Sequence, residues 1–258
     1  MGKPRETWSY ELYRRYIREG RGQGEGANYK PWINTHNVPS LGIISRVQGQ
    51  KTGRMHSYLS RNELQFHYIL EAEPRVTDIR EQYPLRLKDT LRIADRLDIR
   101  HPIVNGFPVV MTTDFLITAD QKLYARTVKM TKDLSNPRVL DKFRIEAAFW
   151  QEKGIDWKIV TERQINPVKA SNIEWMYSGE NIERVIPDAD VRQQFLAMFM
   201  SLYLDRNVSF RDCIERTERF FQCNPGTAIC AFKQLIRDGV ITVDMNRRFM
   251  LGDPRSED

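Results

Sequence analysis

The chain has 258 residues, long for one small domain and comfortable for two, and its 41% hydrophobic and 29% charged content excludes a disordered or collagenous chain. Lys and Arg number 40 against 34 Asp and Glu, and the excess is local: residues 1–170 carry 29 basic and 20 acidic side chains, residues 171–258 carry 11 and 14. The basic portion points to a polyanionic partner, and with no run near the ~18 apolar residues of a span and no hydrophobic signal core, a cytoplasmic protein without a membrane partner is expected.

Residues 7–19 read as an amphipathic helix: Trp8, Leu12 and Tyr16 recur at i+4, Tyr13 and Ile17 widen the stripe, and Gly20 ends it. Residues 20–26 (GRGQGEG) imitate a nucleotide-binding glycine loop, yet they follow a helix and not a strand, so a mobile loop is expected instead. Residues 42–59 read as a hairpin turning at 48–53, with Arg46, Lys51 and Arg54 near its tip, where phosphates could be met. Ser60 with Glu63 three positions on is a capping box opening a helix over 61–72. A strand follows at 76–82, then a helix at 89–97 with Leu91, Ala94 and Leu97 inward. Strands come next at 109–118 and 122–130. Asn136 as N-cap and Pro137 at the first position start a helix to about residue 152, with Leu140, Phe143, Ala147 and Trp150 as its buried stripe. A strand at 157–161 completes an order that suits a mixed sheet flanked by helices.

After Asn166 and Pro167 the pattern turns helical, with helices expected at 188–204, at 210–222 behind the capping pair Ser209 and Asp212, and from Pro225 to Gly239. A hairpin of Val240–Val243 and Arg248–Leu251 would complete a winged-helix outline. Its second helix offers only Lys233 and Arg237, which favours protein docking over DNA binding. Cys213, Cys223 and Cys230 leave one unpaired in any scheme and lack C-x-x-C spacing, so they read as reduced thiols with no zinc site among them.

The chemistry centres on the two strands at 109–130. Period-two alternation puts Phe115 and Ile117 on one face and Asp114 with Leu116 on the other. A tight turn at Gln121 and Lys122 would set Asp114 opposite Lys129, with Cβ atoms about 5 Å apart. With Glu63 on a preceding helix, the set resembles the PD-(D/E)xK nuclease superfamily. That resemblance implies a divalent metal held by the carboxylates, neutralising a phosphate and acidifying its bound water, with a lysine beside the attacking hydroxide.

Longer motifs narrow it. Residues 19–26 (EGRGQGEG), 29–32 (YKPW), 51–54 (KTGR), 78–85 (DIREQYPL), 113–116 (TDFL), 165–168 (INPV) and 172–175 (NIEW) are similar to the TnsA endonucleases of Tn-seven-type transposons, a likeness running from about residue 15 to 178. It implies an α/β restriction-endonuclease-like nuclease domain over 1–170 and a mainly helical winged-helix, partner-docking domain over 171–258. It implies cleavage of the non-transferred 5′ strand at transposon-end DNA, beside a TnsB-type transposase and a TnsC-type AAA+ regulator docked on the C-terminal domain.

By the same likeness Glu63, Asp114 and Lys129 are catalytic. Asp114, Glu63 and the Val128 carbonyl would hold Mg2+, with Mn2+ as a substitute. Thr127 stands where the superfamily usually has an acid, and a hydroxyl is a weak ligand for a hard cation. Arg46, Lys51, Arg54 and Lys132 are candidate DNA contacts, Lys132 ranking below Lys129 for the catalytic place because it falls on the opposite strand face. Glu71, Glu73 and Glu81 read as solvated or paired charges, and His56 and His67 as structural groups or water relays. Three rival readings remain: a catalytically impaired scaffold, as Thr127 hints, a stand-alone restriction-type nuclease, and a winged-helix regulator, which the acidic C-terminal region disfavours.

Overall fold

The computed structural model describes residues 7–34 and 45–248. The first residues of the expected 42–59 hairpin and the Phe249–Leu251 part of the expected wing lie outside them. Helix α1 (Tyr10–Arg18) is capped by the Ser9 hydroxyl, which accepts from the Leu12 amide, and it buries Leu12 and Tyr16. The glycine loop after it is packed tightly, contrary to the expected mobility. The Gly22 amide donates to the Lys30 carbonyl and the Lys30 amide to that of Gln23. A Cβ on Gly22 would meet Pro84 at 2.1 Å, and one on Gly24 (φ +86°) would meet the Asn28 carbonyl oxygen at 2.4 Å.

The hairpin forms from β1 (Ser45–Gln48) and β2 (Met55–Tyr58), antiparallel, and leads into helix α2 (Arg61–Glu71). Strand β3 (Val76–Pro84) is longer than expected. Helix α3 (Leu87–Arg96) buries Thr90, Ile93 and Ala94, and Leu97 just after it packs against the same core; of the expected inward residues Leu91 alone, 37% exposed, turns outward. A small hairpin of β4 (Ile103–Val104) and β5 (Phe107–Pro108), not among the expected elements, turns at Asn105 and Gly106, both at positive φ. Then come β6 (Thr112–Ala119), β7 (Lys122–Val128), helix α4 (Pro137–Glu152) capped by Asn136, and β8 (Asp156–Val160).

The main sheet has the order β3-β6-β7-β8, antiparallel except for the parallel β7–β8 edge. Alternation along β6 divides the core as expected. Leu116 packs with Leu85, Ile93, Ala125, Ile145 and Trp150 on the α3 and α4 side. Phe115 and Ile117 pack with Tyr58, Leu70, Ile79 and Val160 on the other. Each such large side chain contributes about 1.5–3 kcal/mol by leaving water. On α4 Phe143 and Trp150 are buried as expected, with Ile145, Glu146 and Phe149 beside them, while Ala147 is half-buried and Leu140 is 41% exposed.

The chain divides at Asn166–Pro167 into two units. The second holds α5 (Pro167–Tyr177), α6 (Ile182–Val185), α7 (Ala189–Leu204), α8 (Phe210–Phe221) and α9 (Thr227–Arg237). Phe195, Phe199, Phe210 and Phe232 are its fully buried aromatic centre. Ser209 caps α8 and pairs with Asp212 as expected. Residues 240–243 form no strand; a turn closes from Asp244 to Arg247, and the Asn172 side chain donates to the Met245 and Arg247 carbonyls. Among the described residues this unit is helical without a wing.

Candidate active site

Glu63 enters through its capping box. Its amide donates to the Ser60 hydroxyl at 3.2 Å, and its carboxylate accepts from that hydroxyl at 2.8 Å and from the Leu59 amide at 3.1 Å. The residue is only 7% exposed. Burial raises its pKa against the pull of Ser60, Leu59, a hydrogen bond from Gln82 and the nearby Lys129 ammonium. Gln82 also donates to Asp114 Oδ1 at 3.1 Å, so one amide side chain serves both acids. Its backbone is left-handed, φ +48°, in the middle of β3, a conformation costing about 1 kcal/mol or more for a residue with a Cβ. Nothing in the spacing of residues 76–84 marked it.

Asp114 Oδ2 accepts from the Val128 amide at 2.8 Å. Its carboxyl is held well above the ordinary range, first by burial, then by the neighbouring charges of Glu63 and Glu146. Two oxygen-donor acids, both raised by burial and one also by the other's charge, are suited to a hard divalent cation, which would favour both anions at once.

The register differs from expectation. Asp120 and Gln121 both take positive φ, so the hairpin closes at Ala119↔Lys122 and Phe115 pairs with Arg126. Continued inward, this register sets Asp114 opposite Thr127. Lys129 lies beyond the end of β7, where its amide donates to the Val160 carbonyl and its ammonium stands 3.5 Å from Asp133. It still faces the site closely enough to act on Glu63.

Thr127 is not a free ligand. Its hydroxyl donates to Glu146 Oε1 at 2.5 Å and accepts from the Trp157 indole at 3.3 Å. Thr113, which accepts from the Trp150 indole, donates to the same Glu146 oxygen at 2.5 Å. Burial lifts Glu146 to about 7 despite these donors. Glu146 shares a face of α4 with Phe143 and Trp150, and as a charged residue on an apolar stripe it gave no signal in the sequence.

The basic candidates separate. Arg46 and Lys132 are exposed, Lys132 in a 3-10 turn (Thr131–Ser135) rather than on a strand. Lys51 is half-buried, and its amide donates to Glu71. Arg54 turns inward: it pairs with both Glu81 oxygens at 2.8 and 2.5 Å and donates to the Ile79 carbonyl, so its guanidinium is not offered to solvent phosphate. Burial alone would raise Glu81, but Arg54 and His56 together bring it down to about 2.

Family models described as "TnsA-like endonuclease N terminal" and "TnsA endonuclease C terminal" match residues 73–162 and 164–245. The transposon Tn7 transposition protein TnsA of Escherichia coli is 36% identical over 252 residues, spanning 96% of this chain and 91% of that protein.

Proposed function

Because the chain belongs to the TnsA endonuclease family and is a transposase endonuclease subunit, we propose that it cuts the non-transferred 5′ strand at each transposon end, with Glu63, Asp114 and Lys129 as the catalytic groups. The observation that carries this reading is the joining of Glu63 and Asp114 through Gln82 in one buried acidic site. Asp114 and Glu63 would hold a divalent cation, Mg2+ or its substitute Mn2+, with the Val128 carbonyl as a further oxygen. When bound, that cation neutralises charge on the scissile phosphate and acidifies the attacking water.

The remaining work belongs to the chain. Gln82 fixes the two carboxylates in orientation, as its two hydrogen bonds support. Lys129 stabilises negative charge developing on the attacking water. Glu146 ties Thr113 on β6 to Thr127 on β7 and so holds the strands that carry the site. Arg46, Lys132 and, in part, Lys51 position the duplex by phosphate contact, leaving sequence choice to a TnsB-type transposase. The second unit docks a TnsC-type regulator. In support, both basic groups of α9 are used internally: Lys233 donates to Ser178, and Arg237 to the Met176 carbonyl.

The test is product topology, wild type against Asp114→Ala, with the other transposition proteins present. Cutting both strands frees a simple insertion, whereas cutting only the 3′ strands leaves donor and target joined and replication yields a cointegrate. Simple insertions from wild type and cointegrates from Asp114→Ala are expected. Cointegrates from both would reject the nuclease reading and leave the scaffold that Thr127 hinted at.

A further inference from the structure

We propose a second metal site, separate from the Glu63–Asp114 pair, in which His56, His67 and Glu71 take one zinc-class cation and clamp the β1–β2 hairpin to helix α2. One ligand atom from each of the three lies within 4.8 Å of the others, and all three residues are buried. His67 and Glu71 are four apart on α2 and share a face; His56 comes across from β2.

The arrangement has two gaps that a cation would fill. His67 Nε2 and Glu71 Oε1 are buried without a hydrogen-bond partner. They face each other at 3.6 Å, too long for a hydrogen bond. That separation is close to the roughly 3.4 Å between two ligands each about 2.05 Å from a tetrahedral zinc. The opposite end of each donor is already fixed. His56 Nδ1 meets Glu81 at 2.9 Å, and His67 Nδ1 meets the Tyr58 hydroxyl at 2.8 Å. Glu71 Oε2 accepts from the Gln50 and Lys51 amides at 3.2 and 3.1 Å. Metal-bound histidines are oriented in this way, by a carboxylate or hydroxyl on the ring nitrogen that faces away from the metal. The Thr52 hydroxyl, 2.7 Å from His56 Nε2, is a single-bond rotor that can turn aside to free that nitrogen.

The local charge permits a cation. Arg54 is neutralised by Glu81, which leaves the Glu71 carboxylate as the counter-ion at the pocket. Two imidazoles and one carboxylate favour zinc, cobalt or copper over Mg2+, which prefers oxygen and retains its waters. The proposed cation is therefore chemically distinct from the one expected at Asp114.

The experiment uses the full chain, loaded with Zn2+ and dialysed against excess Mg2+, with metal measured per chain and the visible spectrum recorded after Co2+ replacement. Wild type and Asp114→Ala should each retain about one zinc, with the intense d–d bands of four-coordinate Co2+. His67→Gln should bind at least about tenfold more weakly. Glu71→Gln repeats the test should His67→Gln fail to fold. No retained zinc in wild type would mean a bridging water only, and the proposal falls. It falls equally if His67→Gln and Glu71→Gln retain as much zinc as wild type, or if Asp114→Ala alone loses it.

Discussion

Glu146 and its neighbours make the site expensive to keep charged. Burial first of all pushes its carboxyl up to about 7 from an ordinary 4.5, and Glu63 and Asp114 are raised as well. An acid raised on folding binds its proton in the native state after the unfolded state has lost it, so stability falls as pH climbs between the two values. For Glu146 alone the loss is about 3 kcal/mol across pH 4.5–7. Glu81 runs the other way. Lowered from 4.5 to about 2, it contributes stability above 4.5 that disappears as pH drops towards 2. The metal-free protein should therefore melt highest near pH 4.5–5 and progressively lower towards pH 8, with Mg2+ restoring much of the loss at the alkaline end. Thermal midpoints with chelator and with Mg2+ measure this. A metal-free midpoint that is flat or rising from pH 5 to 8 would show that these acids are not desolvated together.

Among the elements, the glycine loop does the least expected work. Its Gly26 amide donates to Asp78, and the Gly26 carbonyl accepts from Arg54, so the loop is braced against β3 and the hairpin. Gly24 carries the tightest backbone approach. Gly24→Ala should destabilise the protein by at least about 2 kcal/mol through steric conflict and a left-handed φ, read as a lower denaturant midpoint at unchanged slope. A midpoint equal to wild type would mean the loop yields freely. The same scale explains what the sequence could reveal. Helix starts were legible where Ser60, Asn136 and Ser209 cap their helices directly. Strand register was not: Asp120 and Gln121 adopt a turn for which glycine or asparagine is the usual signal, and the pairing moved from Lys129 to Thr127. On α4 the spacing of Phe143 and Trp150 made their burial legible, whereas Glu146 between them on the same face carries no apolar signal.

For the whole molecule, the chain divides at Asn166–Pro167, and on the proposal that the second unit docks a regulator, cleavage and docking should be separable. A chain ending at residue 166 should lose capture of a TnsC-type regulator while the same truncation spares capture by a TnsB-type transposase, as pull-down with purified components would show. Retained regulator binding would move the docking surface into the first unit. At this scale the reading was sound about class and incomplete about detail. Charge asymmetry and long motifs pointed to a nuclease and its helical companion. Gln82 and the His56–His67–Glu71 pocket depend on contacts between distant segments that no local pattern encodes.

Strand β3 places Gln82 between the two acids, beside Glu81 in the ion pair and Pro84 under the glycine loop. The acids themselves come from α2 and β6, and the hydrogen-bonded support for the strands comes from α4. A ribosome must therefore finish most of the first unit before any part of this arrangement can close. A half-made chain carries Glu63 exposed on a short, unsupported helix and has no partner for it. The acidic site is thus a late product of synthesis, closing only once α4 has been made.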